Sequence, residues 1–237
     1  MRIFTNTEVI EVIDKGGSVT VIARERTSGK IMELSSKKIM IAGGRVPNSD
    51  ILKVENTGIK RNERGYIQVN QYLETSKENI WAFGDIIGKY MFRHIANKEA
   101  AYAWHNSIHE KKIPMDYNAV PHAVFSYPEI ASVGMTEKEA KKEHKILIGI
   151  AKYNSVAKGI AMLEDEAFAK AVVERDSKKI LGFHIIGPHA SILIQEVINA
   201  MANNMDFRAI YKGIHIHPAL TELIPSTFGN LMEPEEQ

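Results

Sequence analysis

Strand-type and helix-type segments follow one another along this chain in blocks: strands, one helix, strands again, then helices. A chain that does not alternate the two along its length is not built from repeated strand–helix–strand units, so the order points to an α+β architecture. At 237 residues there is enough chain to bury a sizeable core, in one large domain or two modest ones.

The first block reads as a β-meander. EVIEVI (8–13), SVTVIARE (18–25) and KIMIAG (38–43) are rich in β-branched residues, with Gly16-Gly17 and Ser28-Gly29 as turns. GGRVPNSDIL (43–52) breaks the pattern, and a first boundary is placed there. YIQVN (66–70) and NIWAFGD (79–85) are expected as short strands. Met91 to His109 reads as a helix with Ala96, Ala100, Ala101 and Trp104 on one side. Residues 113–134 hold three prolines and are expected as a linker entering a new sheet. Thr136 with Glu139 forms a capping box. KILIGIAKY, AFAKAVVER and KILGFHIIG then read as an antiparallel run. Helices are expected at 191–203, near 206–211 and at about 219–231, and the tail MEPEEQ is expected to fray.

Bulk properties exclude several classes. A net charge of +1 gives no pull toward nucleic acid. No apolar run is long enough to cross a bilayer, and MRIFTNTEV lacks the features of a secretory signal, so the expectation is a cytoplasmic protein without membrane partners. With no cysteine, disulfides, thiolate metal sites and a cysteine nucleophile are excluded within this chain.

Two stretches have the residue types for chemistry. In GIHIHPALTEL (213–223), His215 and His217 precede Pro218, and Glu222 follows one turn into the next helix. An imidazole exchanges protons near neutral pH, and a carboxylate on its other nitrogen fixes the tautomer and stabilises the imidazolium. His217 and Glu222 are therefore candidates for a general acid/base pair. The same spacing also suits a packed structural histidine pair, or two of the four ligands a metal would need. In NIWAFGDIIGKYMFRH (79–94), a strand ends in Gly84-Asp85, where an aspartate can accept from a sugar hydroxyl, and a helix starts near Met91 with its amides free to face an electron-rich group. A plain strand, turn and capping aspartate would read the same way. No GxGxxG or GxxxxGK[ST] phosphate loop occurs.

The ordered series AGGRVPN, NIWAFGDI, MFRH, VPHAVFSYPEIASVG, GFHIIGPHA and HIHPALTE resembles the flavin-dependent pyridine nucleotide-disulfide oxidoreductases, and among them the dihydrolipoamide dehydrogenase type. The resemblance covers about residues 40–230. It implies that 1–45 is the end of an NAD-binding domain, 46–117 the second part of an FAD-binding domain, and 118–237 an interface domain that makes a homodimer. It implies that Asp85, with Gly84, holds the ribityl chain of FAD, and that Met91, Phe92, Arg93 and His94 meet the flavin ring. His217 matches the family's catalytic histidine, Glu222 its carboxylate partner, and His215 a lesser position near the same site. The peptide before Pro218 is expected to be cis, and no metal is implied. The parent enzyme would move electrons between a dithiol, FAD and NAD, and a 2-oxo acid dehydrogenase complex is a candidate partner.

The departures are equally informative. The family's glycine-rich FAD turn, its redox cysteine pair and its second glycine-rich motif for NAD(P) are all missing. The expectation is the C-terminal half of an enzyme, inactive alone. His217 and a tail without cysteine argue against a mercuric reductase, and His217 argues against a soluble transhydrogenase. His215 and HIIGPHA lean away from a glutathione reductase, while ANKEA at 96–100 departs from the usual helix sequence and keeps another disulfide reductase open. A stand-alone, non-catalytic dimerisation module derived from the same family is the rival of a different class.

Overall fold

The structure, a computed structural model, describes residues 2–234. It divides into two units, Met1–Val46 and Pro47–Gln237. The first is a three-stranded antiparallel sheet of β1 (Thr7–Asp14), β2 (Val19–Glu25) and β3 (Ile31–Ser36) in the order β1-β2-β3. Its first turn is closed by the Asp14 carboxylate, which accepts from the Gly16 amide at 2.9 Å. Its second is closed by Glu25, whose carboxylate accepts from the amides of Thr27 and Ser28 at 2.8 and 2.6 Å. The Ser28 hydroxyl, and next those two amides, hold the Glu25 carboxyl well below the usual range, at about 2.

This second turn corrects the sequence expectation. The third strand is Ile31–Ser36 and not KIMIAG (38–43), because the tight Glu25–Gly29 turn returns the chain to β2 by Ile31, which pairs with Arg24. Residues 38–43 carry no regular structure, and Met40 and Ile41 are exposed.

The second unit begins with a stretch of turns around α1 (Arg93–Ile108). The expected strands at 66–70 and 79–85 are only isolated bridges, Arg61 with Ile67, Val69 with Thr75 and Glu74 with Trp81. Tight turns set by Asn62 and Asn70 fold these short segments back before a ladder can extend. The inward side of α1 is Ile95, Glu99, Ala103 and Asn106, and Trp104 is exposed. Two polar residues occupy that side because each serves backbone groups of the turns: Asn106 donates to the carbonyls of Tyr72 and Ile113 and accepts from the Ile113 amide.

A five-stranded antiparallel sheet follows. Its strands are β4 (Pro121–Val124), β5 (Ile130–Gly134), β6 (Ile146–Lys152), β7 (Phe168–Glu174) and β8 (Ile180–Ile186), in the order β4-β5-β8-β7-β6. The last three match the run expected from sequence. α2 (Glu137–Ala140) starts at Thr136 with the expected capping box, and α3 (Ala157–Ala161) follows β6. The single helix expected at 191–203 is two, α4 (Ala190–Leu193) and α5 (Gln195–Ala202), meeting at Ile194. α6 (Arg208–Tyr211) leads to a turn at Leu220–Glu222 and then to α7 (Leu223–Gly229).

One face of the sheet forms the core with these helices. Val133, Ala169, Ala171, Phe183 and Ile185 meet Val197, Leu223, Ile224 and Phe228, all buried. The approach of α7 to β6 depends on Gly149: a Cβ there would lie 2.1 Å from the Thr227 carbonyl oxygen. Beyond α7, Met232 exchanges both backbone hydrogen bonds with Ile148. The expectation of a fraying tail therefore fails at Met232; residues 235–237 lie outside the described residues. No helix is long and apolar enough to cross a membrane among the described residues.

Candidate functional site

The segment from Gly213 to Ala219 joins α6 to the turn before α7 and belongs to no helix or strand. The peptides Tyr127-Pro128 and His217-Pro218 are cis, the second as expected. Because α7 is fixed to β6, Glu222 stands on a rigid base at its start. Its carboxylate accepts from the Ala219 amide at 3.1 Å and faces His217 Nδ1 at 3.0 and 3.2 Å through its two oxygens. The pair expected from sequence is thus assembled.

The chemistry of this contact is directional. A carboxylate only accepts, so Nδ1 must donate. The other ring nitrogen, Nε2, then keeps its lone pair and can take a proton. If it does, the imidazolium charge develops against Glu222. The His217 side chain is 69% exposed, so Nε2 is open to a reactant. The hydrogen bond from His217, and next the Ala219 amide, hold the Glu222 carboxyl below its ordinary value.

The sign of the pH effect follows from that depression. A carboxyl whose folded pKa lies below its unfolded one contributes stability above the ordinary value of 4.5 and loses it as pH falls through the folded value. A carbon-13 titration of the Glu222 carboxyl is expected to have its midpoint below 4.5, and His217→Ala to return it upward. A midpoint unmoved by that substitution would break the pair as described.

His215 turns the other way. Its Nε2 lies 3.0 and 3.3 Å from the two oxygens of Glu196 on α5. Each histidine thus faces its own carboxylate, and no group of three or more His, Cys, Asp or Glu suited to a metal occurs among the described residues.

The second candidate stretch is built around α1. Gly84–Ile87 is a turn of 3-10 helix, not a strand end, and Asp85 stands in its first turn. Of the residues expected beside it, Met91 is exposed, Arg93 donates to Asn97, and His94 meets the Pro121 carbonyl at 2.9 Å. Phe92 stacks on the rings of both His94 and His122, at 5.3 and 6.1 Å between centroids. Its side chain lines a cavity of about 800 Å3 with Tyr90, Tyr117 and His122.

One residue organises this region that sequence reasoning passed over. Glu99 is fully buried; one carboxylate oxygen accepts from the Gly84 amide at 2.6 Å and the other from the Tyr117 hydroxyl at 2.7 Å. Burial, and next the bond to Glu99, push the Tyr117 hydroxyl well above the ordinary tyrosine range. Tyr117 also lies 5.4 Å from Tyr90, the two rings tilted, and carries the Lys89 ammonium 3.6 Å from its ring centroid. The available signal was a carboxylate between Ile95 and Ala103 at helical spacing, on the face that packs.

Comparison with known proteins bears on both regions. The pyridine nucleotide-disulphide oxidoreductase family matches residues 1–100, and the dimerisation domain of that family matches residues 120–227. Dihydrolipoyl dehydrogenase of Synechocystis sp. is 35% identical over 94% of this chain and 50% of its own length. Mycothione reductase of Mycobacterium tuberculosis is 36% identical over 86% of this chain and 47% of its own length. Among solved structures, the HOCl-induced flavoprotein disulfide reductase RclA from Escherichia coli aligns with a TM-score of 0.80 and 26% identity over 94% of this chain and 50% of its own. LpdA from Mycobacterium tuberculosis aligns with a TM-score of 0.84 and 25% identity over 95% of this chain and 48% of its own. The chain spans about half the length of the curated relatives it matches.

Proposed function

We propose, from the premise that this chain belongs to the pyridine nucleotide-disulphide oxidoreductase family, that it is the C-terminal half of an enzyme that moves electrons between a dithiol, FAD and NAD, of the dihydrolipoamide dehydrogenase type. The observation that carries this reading is the His217–Glu222 pair, with Nδ1 committed to the carboxylate and Nε2 without a hydrogen-bond partner among the described residues. In this role His217 Nε2 takes a proton from the thiol that attacks and returns it to the thiolate that leaves, while Glu222 holds the ring and offsets its charge.

FAD, when bound, supplies the two-electron carrier between dithiol and nicotinamide. The residues here fit one end of it. Phe83 and Met91 offer exposed apolar faces, and α1 begins without a side-chain cap or an acid in its first turn, which suits an electron-rich ring. Gly84, Asp85 and Met91 to His94 would hold that end. The sequence holds no glycine-rich turn for the pyrophosphate and no cysteine for the disulfide step. The chain alone is therefore expected to be inactive. In this reading residues 1–45 close the NAD domain, 46–117 complete the FAD domain and 118–237 form the interface domain. The protein works in the cytoplasm, and a 2-oxo acid dehydrogenase complex is a candidate partner.

The decisive test is the coding sequence upstream of Met1. An in-frame GxGxxG turn and a closely spaced cysteine pair, with a flavin-bearing product that reduces NAD on dihydrolipoamide, would support the assignment. A stop codon there would favour the non-catalytic dimerisation module.

Homodimer formation has its own support. Phe125, Tyr127, Ile192, Ile214 and Ile216 are 69–100% exposed, and all fall within the span matched to the dimerisation domain. Covering them with a second copy would remove this apolar surface from water. Sedimentation equilibrium is expected to give twice the chain mass, and Ile216→Asp to shift it toward the monomer. A monomer in the unsubstituted chain would count against the interface.

A further inference from the structure

The histidine-bearing segment lacks the support that usually fixes a backbone. Among the described residues, no backbone–backbone hydrogen bond uses residues 214–218. Within one chain apolar burial does not hold it either, since Ile214 is fully exposed and Ile216 is 76% exposed. The inward side chain is His215, only 15% exposed. A segment with its isoleucines outward and a histidine inward is held by polar contacts, and the structure provides two. Glu222 grips the segment at His217 and Ala219, and Glu196 grips it at His215.

Glu196 is well placed to act as an anchor. It stands on α5, whose Val197, Ala200 and Met201 are packed into the core beside it. Its two oxygens lie 3.0 and 3.3 Å from one ring nitrogen of His215, which must therefore donate. His215 and His217 are two residues apart in one short segment, so holding the first ring limits how far the backbone that carries the second can move. The two grips are also close enough to sense one another: His215 is one of the charges that lower the Glu222 carboxyl, although the smallest.

We infer that Glu196, acting through His215, is a positioning residue for His217: it pins the 214–218 segment so that His217 presents Nδ1 to Glu222 and Nε2 outward. This rests on the reading of His217 as the acid–base group. Glu196 does not touch the reactants in this scheme; it keeps the segment where Glu222 can fix which nitrogen of His217 is basic.

The test is nitrogen-15 NMR of the histidine rings in the full chain, above the range where the imidazoles are protonated. In the unsubstituted protein His217 is expected to be held in the Nδ1–H form. Glu222→Ala should abolish that preference; if it does not, the acid–base pair itself is wrong, whatever Glu196 does. Glu196→Ala should also lose the Nδ1–H excess at His217, whereas Glu196→Gln, whose carbonyl can still accept from His215, should keep it. If Glu222→Ala removes the preference while Glu196→Ala leaves it intact, the positioning role is overturned and the acid–base pair stands. Should Glu196→Ala lose the dispersed amide signals of the five-stranded sheet, His215→Ala breaks the same grip from the other side. It carries the same expectation and the same overturning result.

Discussion

In the complete enzyme that this chain is proposed to belong to, His217→Ala is expected to slow dithiol oxidation by about 10²–10⁴-fold, the range that a positioned general acid or base supplies. The size follows from geometry. Glu222 is 3.0 Å from Nδ1 and itself held by the Ala219 amide, so Nε2 is a base of fixed direction. Alanine leaves the thiol to lose its proton to water. The loss should fall on the thiol half-reaction alone, because reduction of the flavin by NADH moves a hydride and does not call on this imidazole. Stopped-flow measurement of the two half-reactions separates them. Equal loss in both would show that the substitution damages the flavin site or the dimer, and would remove His217 from the proton-transfer role. Glu222→Gln should give a smaller loss than His217→Ala, since an amide oxygen still accepts from Nδ1 while the offsetting charge is gone.

Legibility from sequence followed the kind of force involved. β6, β7 and β8 were readable because their buried β-branched residues declare them, as with Val173 and Ile185. KIMIAG gave the same signal and is not a strand. Its residues would suit one, but pairing is decided by what lies opposite, and the Glu25 turn brings Ile31 there first. The His217–Glu222 contact was visible because a turn of known length joins the two. Glu196 is 19 residues from His215, and no spacing rule links them. Glu99 and Glu196 are single carboxylates in helices, a setting where the ordinary expectation is a solvated face. What makes them different is the unpaired backbone or imidazole donor facing them, and that is a property of the folded chain.

Glu99 accordingly leads to the largest stability effect expected of a single side chain here. Its carboxylate takes the Gly84 amide in a fully buried contact and the Tyr117 hydroxyl in a partly buried one. Alanine leaves a buried N–H without an acceptor and weakens the hold on Tyr117, at about 1–3 kcal/mol for each orphaned donor, so Glu99→Ala is expected to cost about 2–4 kcal/mol. In a unit of this size each kcal/mol lowers Tm by about 2–4 °C. Trp81 and Trp104, the two tryptophans of the chain, both lie in this second unit, so their fluorescence follows its unfolding. Glu99→Gln should cost far less, because its amide oxygen accepts from Gly84 and its N–H can donate to the Tyr117 oxygen. The difference between the two variants separates lost hydrogen bonds from lost charge. A Glu99→Ala protein as stable as the original would mean that burying the carboxylate costs as much as its two bonds return. The residue would then be kept for the shape of the Gly84–Ile87 turn and not for stability. In that case the amide of Gly84, expected to exchange slowly in the original, should exchange fast in the variant even though Tm is unchanged.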